Sequence, residues 1–228
     1  MRNIIIYTTN DEIISLHLVN KIVSLDKYKN YNIDIFLANP SFIRKIKILL
    51  VIFFFGSVKE LYKNMRNNIS IKEILNKNKN CKIINHVYKD YDYGLSVYCS
   101  KKIQLQKFKI YNFHLGSLKY QRGSFIFFYK FFKGWNKIVL TFHEISKRFD
   151  VGKVINEKEI LLKKNCTATD IIFVYLNNLE FLPESLNKLQ ASERKEYSDF
   201  EKLNLVPSFF RLFLNLIRFF FNKRDYLK

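Results

Sequence analysis

The sequence predicts an α/β fold: a doubly wound, mostly parallel sheet with helices on both faces, followed by a C-terminal amphipathic helix. Residues 3–8 are apolar and β-branched, which predicts a buried first strand. Residues from about 11 to 25 carry apolar side chains at helical spacing, with Asn10 or Asp11 as the N-cap. Residues 33–37 predict a second strand. A strand, a helix and a strand in this order begin a Rossmann-like domain.

The later elements follow the same reasoning. Apolar and β-branched runs predict strands near residues 81–86, 93–98, 110–114, 137–145 and 153–160. Helices are predicted over about 123–132 and 167–178, the second capped by Thr167, and another begins near Pro183. These alternating elements support the α/β class.

Residues 46–55 are nearly all apolar and basic residues flank them. The run is far shorter than the roughly 20 residues that span a bilayer. We favour a buried helix in the outer layer of the sheet. The alternative is a helix that faces a membrane or a second copy of the chain.

Composition limits the class of protein. With 228 residues and 48% hydrophobic residues, the chain can bury the core of one ordinary domain. Its net charge of +19 favours an anionic partner, which could be a small molecule, a nucleic acid or a membrane surface. The three cysteines Cys81, Cys99 and Cys166 have no C-x-x-C spacing, so we predict neither a disulfide nor a zinc site. We expect a cytoplasmic protein, because the N-terminal apolar run is too short for a signal peptide.

Two motifs contain the side chains best suited to chemistry. Asn112 and His114 are two residues apart, so on a strand they share one face just before a loop that contains Gly116. Asp150 is followed by Val and Gly152, a pattern typical of a turn that enters a strand. An amide, an imidazole and a carboxylate at one place would suit proton transfer and oxyanion stabilisation.

The two motifs together resemble the 10-formyltetrahydrofolate-dependent formyltransferase family. That family has an Asn-x-His pair, a loop like Tyr120-Gln121-Arg122-Gly123, and an Asp-x-Gly turn some tens of residues later. Here His114 and Asp150 are 36 positions apart (150 minus 114). The His-Leu-Gly-Ser form of residues 114–117 looks most like the sugar N-formyltransferases.

The resemblance implies a set of roles. His114 would polarise the formyl oxygen, the Asn112 amide would be a second donor, and Asp150 would hold His114 and accept the amine proton through water. It also implies that N10-formyltetrahydrofolate is the cosubstrate and that no metal is needed. The cosubstrate residues that it implies are Tyr98, Ser100, Lys102, Arg122 and Gly123.

Some departures from the family pattern change the loop after His114, and others bear on the acceptor. Lys119 stands where the family usually has Pro, and Phe125 stands where Pro or Ala is common. The glycine-rich loop of the glycinamide ribonucleotide enzymes is missing after the first strand, and we expect no C-terminal barrel of the kind that methionyl-tRNA formyltransferases have, because too few residues remain after the core. We therefore expect an amino-sugar nucleotide, for surface polysaccharide, as the acceptor. Glycinamide ribonucleotide, methionyl-tRNA and a non-catalytic membrane-associated binding module remain alternatives, and we expect no nucleic-acid partner.

The other histidines are interpreted as structural. His17 falls in the first predicted helix and His86 at a strand end. His143 lies inside a predicted strand ahead of Asp150, where it can approach the site, but we favour a structural role.

The C-terminal part of the chain differs in composition. We predict a catalytic domain over residues 1–190, a linker over 191–206 and an amphipathic basic helix over 207–228. From Pro207 the polar residues recur at steps of three and four, and the positions between them are Phe, Leu or Ile. Such a helix lies either on the inner face of a membrane or against a second copy of the chain.

Overall fold

The computed structural model describes residues 2–10, 14–39, 42–55, 57, 59, 69–99, 102–123, 126–148, 150–190 and 196–197. Seven strands form one sheet: β1 (Arg2–Thr9), β2 (Tyr31–Ala38), β3 (Cys81–Ile84), β4 (Tyr93–Val97), β5 (Ile110–Leu115), β6 (Lys137–Glu144) and β7 (Val154–Leu161). Their order is β3-β2-β1-β4-β5-β6-β7. Pairs from β3 to β5 are parallel, whereas β6 is antiparallel to both β5 and β7. The predicted mostly parallel α/β sheet is confirmed.

The described helices are α1 (Ser15–Val23), α2 (Phe42–Phe55), α3 (Ile71–Lys77), α4 (Ile126–Lys133), α5 (Ala168–Ile172) and α6 (Phe181–Asn187). Thr167 caps α5 as predicted, in a capping box with Asp170. The predicted long helix after Thr167 is shorter, because α5 ends at Ile172 and the chain continues as turns. The predicted cap of the first helix is wrong: Ile14 precedes α1 and makes no side-chain cap.

Side chains along a strand alternate in direction, so the sheet has two faces. Different parts of the chain cover these two faces. On the first face, Ile4 and Ile6 of β1 belong to the main hydrophobic core. On the second face, Ile5 and Tyr7 belong to a smaller cluster with Ile110 of β5. Every buried hydrophobic residue of the described helices belongs to the main core.

The second face is covered by connecting segments. Val87 and Tyr91 come from the connection between β3 and β4, and Ile103 and Phe108 from the connection between β4 and β5. Among the described residues, these connections leave room for a pocket on the second face.

Helix α2 is only partly buried. Phe42, Leu49 and Phe53 are 76%, 61% and 73% exposed. Their spacing of seven and four residues puts them on one stripe, while Leu50 packs against the main core. The expectation of a buried helix is therefore wrong for one side of α2. None of the described helices is long and apolar enough to cross a membrane.

The predicted C-terminal helix, residues 207–228, lies outside the described residues, as does the predicted linker apart from residues 196 and 197. The predicted division of the chain at residue 190 and the surface-binding role of its tail therefore stay predictions.

Candidate functional site

Asn112 and His114 lie on β5, and the register of the sheet determines their neighbours. Asn112 pairs with Ser96 on β4 and with His143 on β6. His114 pairs with Thr141 on β6. Because they are two residues apart, both side chains point to the second face, which connecting segments cover.

The connection between β6 and β7 brings Asp150 to His114. The Ile145 N–H donates to the Ile110 carbonyl at 2.7 Å, so the connection begins beside the first residue of β5. Further on, Asp150 Oδ1 lies 3.5 Å from His114 Nδ1, close to the end of the same strand. The connection therefore folds back along β5 over the second face. It brings Asp150 next to His114, although the two residues are far apart in sequence.

The backbone around Asp150 is under steric constraint. Asp150 has a φ of +47°, a left-handed conformation that Asp and Asn tolerate better than most residues. Its Oδ2 accepts from the Gly123 N–H at 2.6 Å, and its carbonyl accepts from Arg122 Nε at 3.0 Å. Gly152 has a φ of +150°, and a Cβ there would lie 1.8 Å from the Glu144 carbonyl oxygen. The Asp-x-Gly motif is thus required by the shape of this turn.

The loop after β5 is fixed by the buried side chain of Gln121. Its Oε1 accepts from the N–H groups of Ser117 at 3.2 Å and Val139 at 3.1 Å. Its Nε2 donates to the Lys137 carbonyl at 2.8 Å. These three bonds hold the Gln121 backbone carbonyl against His114 Nε2, at 2.9 Å.

Both ring nitrogens of His114 therefore face an acceptor. The Gln121 carbonyl and the Asp150 carboxylate can only accept, so both contacts are N–H donations when the imidazole is protonated. His114 is 8% exposed and stands behind Asp150, outside the pocket wall. The role expected for His114, a direct donor to the formyl oxygen, needs an N–H toward the pocket, and in this structure both nitrogens point elsewhere.

His143, for which the sequence favoured a structural role, contacts a proposed catalytic residue. Its Nε2 lies 3.2 Å from Asn112 Nδ2, and its Nδ1 lies 3.0 Å from the Glu144 carbonyl oxygen. Burial lowers the pKa of His143 to about 4, and the nearby His114 adds to the effect. The contact depends on the antiparallel register of β5 and β6, which sequence spacing does not give.

A pocket opens on the second face beside this cluster. Asn112, His143 and Asp150 border it, and Asp150 is the one carboxylate among the described residues that line it. The remaining lining residues are the cations Lys102, Lys147 and Arg148, the small side chains Ser96, Cys99 and Ser146, and the apolar Ile103 and Ile145. The pocket thus combines apolar and cationic side chains with the Asn112 amide and the Asp150 carboxylate.

The residues that the resemblance assigned to the cosubstrate have different locations. Lys102 lines the pocket. Arg122 and Gly123 do not line it but hold Asp150. Tyr98 has a strained φ of +52° and packs against the main core on the first face. Ser100 lies outside the described residues.

Among the described residues there is no cluster of three or more His, Cys, Asp or Glu side chains that could hold a metal ion. Burial raises the pKa of the Cys81 thiol to about 11, so this cysteine is a poor thiolate ligand.

No protein-family model and no curated protein matches the sequence. Solved structures do match. An N-formyltransferase from Helicobacter canadensis, in complex with folinic acid and dTDP-3-aminofucose, has a TM-score of 0.63 and 17% identity, with 90% of this chain and 71% of that chain covered. A likely sugar N-formyltransferase from Mycobacterium tuberculosis has a TM-score of 0.56 and 17% identity, covering 96% of this chain and 87% of that chain. Methionyl-tRNA formyltransferase from Clostridium thermocellum has a TM-score of 0.51 and 15% identity, covering 91% and 74%.

These likenesses establish the fold. The chain has the architecture of solved formyltransferases, which confirms the fold that the motif resemblance predicted. At 17% identity or less, these structures show the fold alone, and we infer the reaction from the geometry of the site.

Proposed function

We propose that this chain transfers a formyl group from N10-formyltetrahydrofolate to the primary amine of an amino-sugar nucleotide. The observation that carries the proposal is the position of the Asp150 carboxylate. It lies 3.5 Å from His114 Nδ1, accepts from the Gly123 N–H, and borders the same pocket as Asn112. The cosubstrate supplies the formyl group, and the reaction needs no metal.

Asp150, Asn112 and His114 have different roles in the proposed formyl transfer. As the amine adds to the formyl carbon and the bond to N10 breaks, an amine proton must be removed and one must reach the departing nitrogen. Asp150 accepts the amine proton, directly or through a water molecule. An N–H of Asn112 donates to the oxyanion that develops on the formyl oxygen. His114 holds Asp150 and, when protonated, adds positive charge behind the pocket.

The pocket suits a ring system with an anionic tail. Ile103 and Ile145 provide an apolar wall of the kind that heteroaromatic rings pack against. Lys102, Lys147 and Arg148 at the rim suit carboxylates or phosphates. Folate, with its glutamate tail, and a nucleoside diphosphate sugar both have this chemistry.

An amino-sugar nucleotide is the acceptor best supported. The Helicobacter canadensis structure of the same fold holds dTDP-3-aminofucose together with folinic acid. The His-Leu-Gly-Ser sequence at residues 114–117 resembles the same group of enzymes. A tRNA acceptor is the second candidate, because methionyl-tRNA formyltransferase shares the fold and the chain has a charge of +19.

The test is a formylation assay with three classes of acceptor. The purified full chain is incubated with N10-formyltetrahydrofolate and either a panel of dTDP-, UDP- and GDP-amino sugars, glycinamide ribonucleotide, or methionyl-tRNA. Mass spectrometry of the acceptor detects the added formyl group. We expect product with at least one amino-sugar nucleotide and none with the other two classes.

The outcomes separate the alternatives. Product with methionyl-tRNA or glycinamide ribonucleotide alone would keep formyl transfer and reject the sugar acceptor. A folded chain that binds folinic acid but forms no product with any acceptor would favour the binding module. Loss of product in Asp150→Asn, with Asp90→Asn as a matched exposed control, ties the activity to this pocket.

A further inference from the structure

His143 has hydrogen-bonding contacts that determine which of its nitrogens carries a proton. Its Nδ1 lies 3.0 Å from the backbone carbonyl oxygen of Glu144, which can only accept. Nδ1 must therefore carry a hydrogen. In the neutral ring, Nε2 then has none and is an acceptor.

This tautomer determines the orientation of the Asn112 amide. A bare Nε2 accepts a hydrogen bond from Asn112 Nδ2, which lies 3.2 Å away. One N–H of the amide is used in this contact and the other stays available to the pocket that both residues line. A protonated His143 would present an N–H to Asn112 and turn the amide oxygen toward itself, so the arrangement of donor and acceptor would be reversed.

The surroundings keep His143 neutral and in place. The side chain is 1% exposed, and its ring centroid lies 6.3 Å from that of His114. Two imidazoles at this distance in a buried site resist carrying charge together. Asp150 is the other charged group that acts on the ring, and its attraction is outweighed by burial and by His114.

The strand geometry also fixes this contact. The register of β6 and β7 shifts between Phe142 and His143, so Phe142 pairs with Asn156 and His143 with Val154. Such irregularities re-aim side chains and are common beside active sites. The Glu144 carbonyl that orients His143 is the atom that a side chain at Gly152 would strike, so the turn is built closely around it.

We propose that His143 is the positioning residue of Asn112: as a neutral ring protonated on Nδ1, it accepts from the Asn112 amide and so directs the other amide N–H to the pocket. The inference rests on the proposed function for its catalytic meaning. The hydrogen bond itself does not depend on which acceptor is formylated. His143 touches no reacting atom in this proposal.

The kinetic test uses two variants at this position. His143→Leu keeps the approximate volume and removes the acceptor, whereas His143→Gln restores an oxygen that can accept from Asn112. We expect His143→Leu to lower kcat by about 10- to 100-fold, part of the loss seen when an oxyanion donor is removed. The KM values should stay within about twofold, because the pocket keeps its shape, and His143→Gln should recover most of the rate. The control is His86→Leu, at an exposed histidine that follows β3, the strand at the opposite edge of the sheet.

The second test does not use activity. In full-length wild-type protein labelled with ¹⁵N-histidine, the ring nitrogen shifts identify the protonated nitrogen, and the His143→Leu spectrum or an Asn112→Ala perturbation assigns the signal. We expect a neutral His143 protonated on Nδ1 from pH 8 down to pH 6, with an Nε2 shift that changes in Asn112→Ala. A ring protonated on Nε2, or one that is charged at pH 7, would overturn the proposal even if His143→Leu does not fold.

The two tests separate the inference from the proposed function. If the wild type formylates its acceptor and His143→Leu keeps its kcat, the positioning role fails and the function stands. If the wild type formylates no acceptor, the function fails, and the nitrogen shifts still decide whether His143 orients Asn112.

Discussion

Two buried polar clusters lie on the second face of the sheet, and they differ in what surrounds the carboxylate. Asp34 of β2 is fully buried and accepts from the hydroxyls of Tyr88 at 2.7 Å and Tyr91 at 2.6 Å, with Lys89 Nζ at 3.2 Å. Burial alone would raise the pKa of Asp34, but the bonds from Tyr91, Tyr88 and Lys89 outweigh it and lower the pKa below the usual value.

The second cluster, around Asp150, is built on different contacts. Asp150 shares its oxygens between a histidine ring and a loop N–H, and it borders a pocket. Its backbone has a positive φ, as does that of Tyr98 after β4. Left-handed non-glycine residues cost free energy and are often found at functional sites.

The comparison shows that a buried charge is not by itself a sign of chemistry. Asp34 is fully buried and its Oδ2 already accepts from Tyr88, Tyr91 and Lys89, so we assign it to stability. Asp150 is accessible from a pocket, next to an amide and an imidazole, so we assign it to turnover. Substitutions in the two clusters separate these assignments.

A large effect on turnover is expected for His114→Ala. Removing the ring leaves Asp150 without its partner at Nδ1. We expect turnover to fall about 10²- to 10³-fold, the range seen when a group that stabilises the transition state is removed. Steady-state formylation by wild type, His114→Ala and the exposed control His86→Ala measures it. Near-normal turnover in folded His114→Ala would show that this residue does not contribute to the reaction.

A large effect on stability, without one on turnover, is expected for Asp34→Ala. The substitution leaves the Tyr91 and Tyr88 hydroxyls and Lys89 without their shared acceptor. We expect the free energy of unfolding to fall by about 3 kcal/mol, measured by urea denaturation. The kcat of the folded fraction should match the wild type, and a fall beyond about threefold would place Asp34 in the functional site instead.

The pH dependence of stability should report on His143. Its pKa is about 4 in the folded state, against an ordinary value of 6.5, so the unfolded chain binds the proton more tightly. The stabilisation is complete above pH 6.5 and is lost as the pH falls toward 4. Between pH 7 and pH 5 the free energy of unfolding should fall by roughly 2 kcal/mol.

His143→Leu is the matched variant for this measurement. Because it has no group to protonate at that position, its free energy of unfolding should vary less over the same pH range. Equal slopes in wild type and variant, from urea denaturation at each pH, would show that His143 does not titrate as the structure indicates.

The smallest effect is expected for the tyrosines of the Asp34 cluster. Tyr91→Phe removes one hydrogen bond from a buried carboxylate and should cost about 1.5 kcal/mol of unfolding free energy. Tyr88 is 47% exposed, so water can take the place of its hydroxyl in the Tyr88→Phe variant. We therefore expect Tyr88→Phe to lower the free energy of unfolding by less than Tyr91→Phe does. Thermal or urea unfolding of both variants checks this order, and a larger loss in Tyr88→Phe would contradict it.

The sequence predicted those parts of the structure that depend on local pattern. The apolar runs predicted the strands, and Thr167 was correctly predicted as the cap of α5. The two motifs predicted that His114 and Asp150 lie close together. The Asp-x-Gly spacing was informative because the turn sterically requires Gly152.

The parts that the sequence did not predict depend on register and long-range contact. The contact of His143 with Asn112 follows from the pairing of β5 with β6, and the two residues are 31 positions apart. Asp34 is recognised as a buried carboxylate only when Tyr88 and Tyr91, more than 50 positions away, are placed beside it. Likewise, an apolar run does not reveal which stripe of α2 stays exposed.

We place the chemistry at Asp150 and not at the buried Asp34. The most direct measurement follows transfer of a ¹³C-labelled formyl group from N10-formyltetrahydrofolate to an amino-sugar nucleotide under single-turnover conditions, with wild type, Asp150→Asn and Asp34→Asn at equal folded concentrations. We predict labelled product from wild type and Asp34→Asn at similar rates, and a rate about 10²-fold or more lower from Asp150→Asn. Equal rates from wild type and Asp150→Asn, or a loss confined to Asp34→Asn, would show that the chemistry does not take place at Asp150.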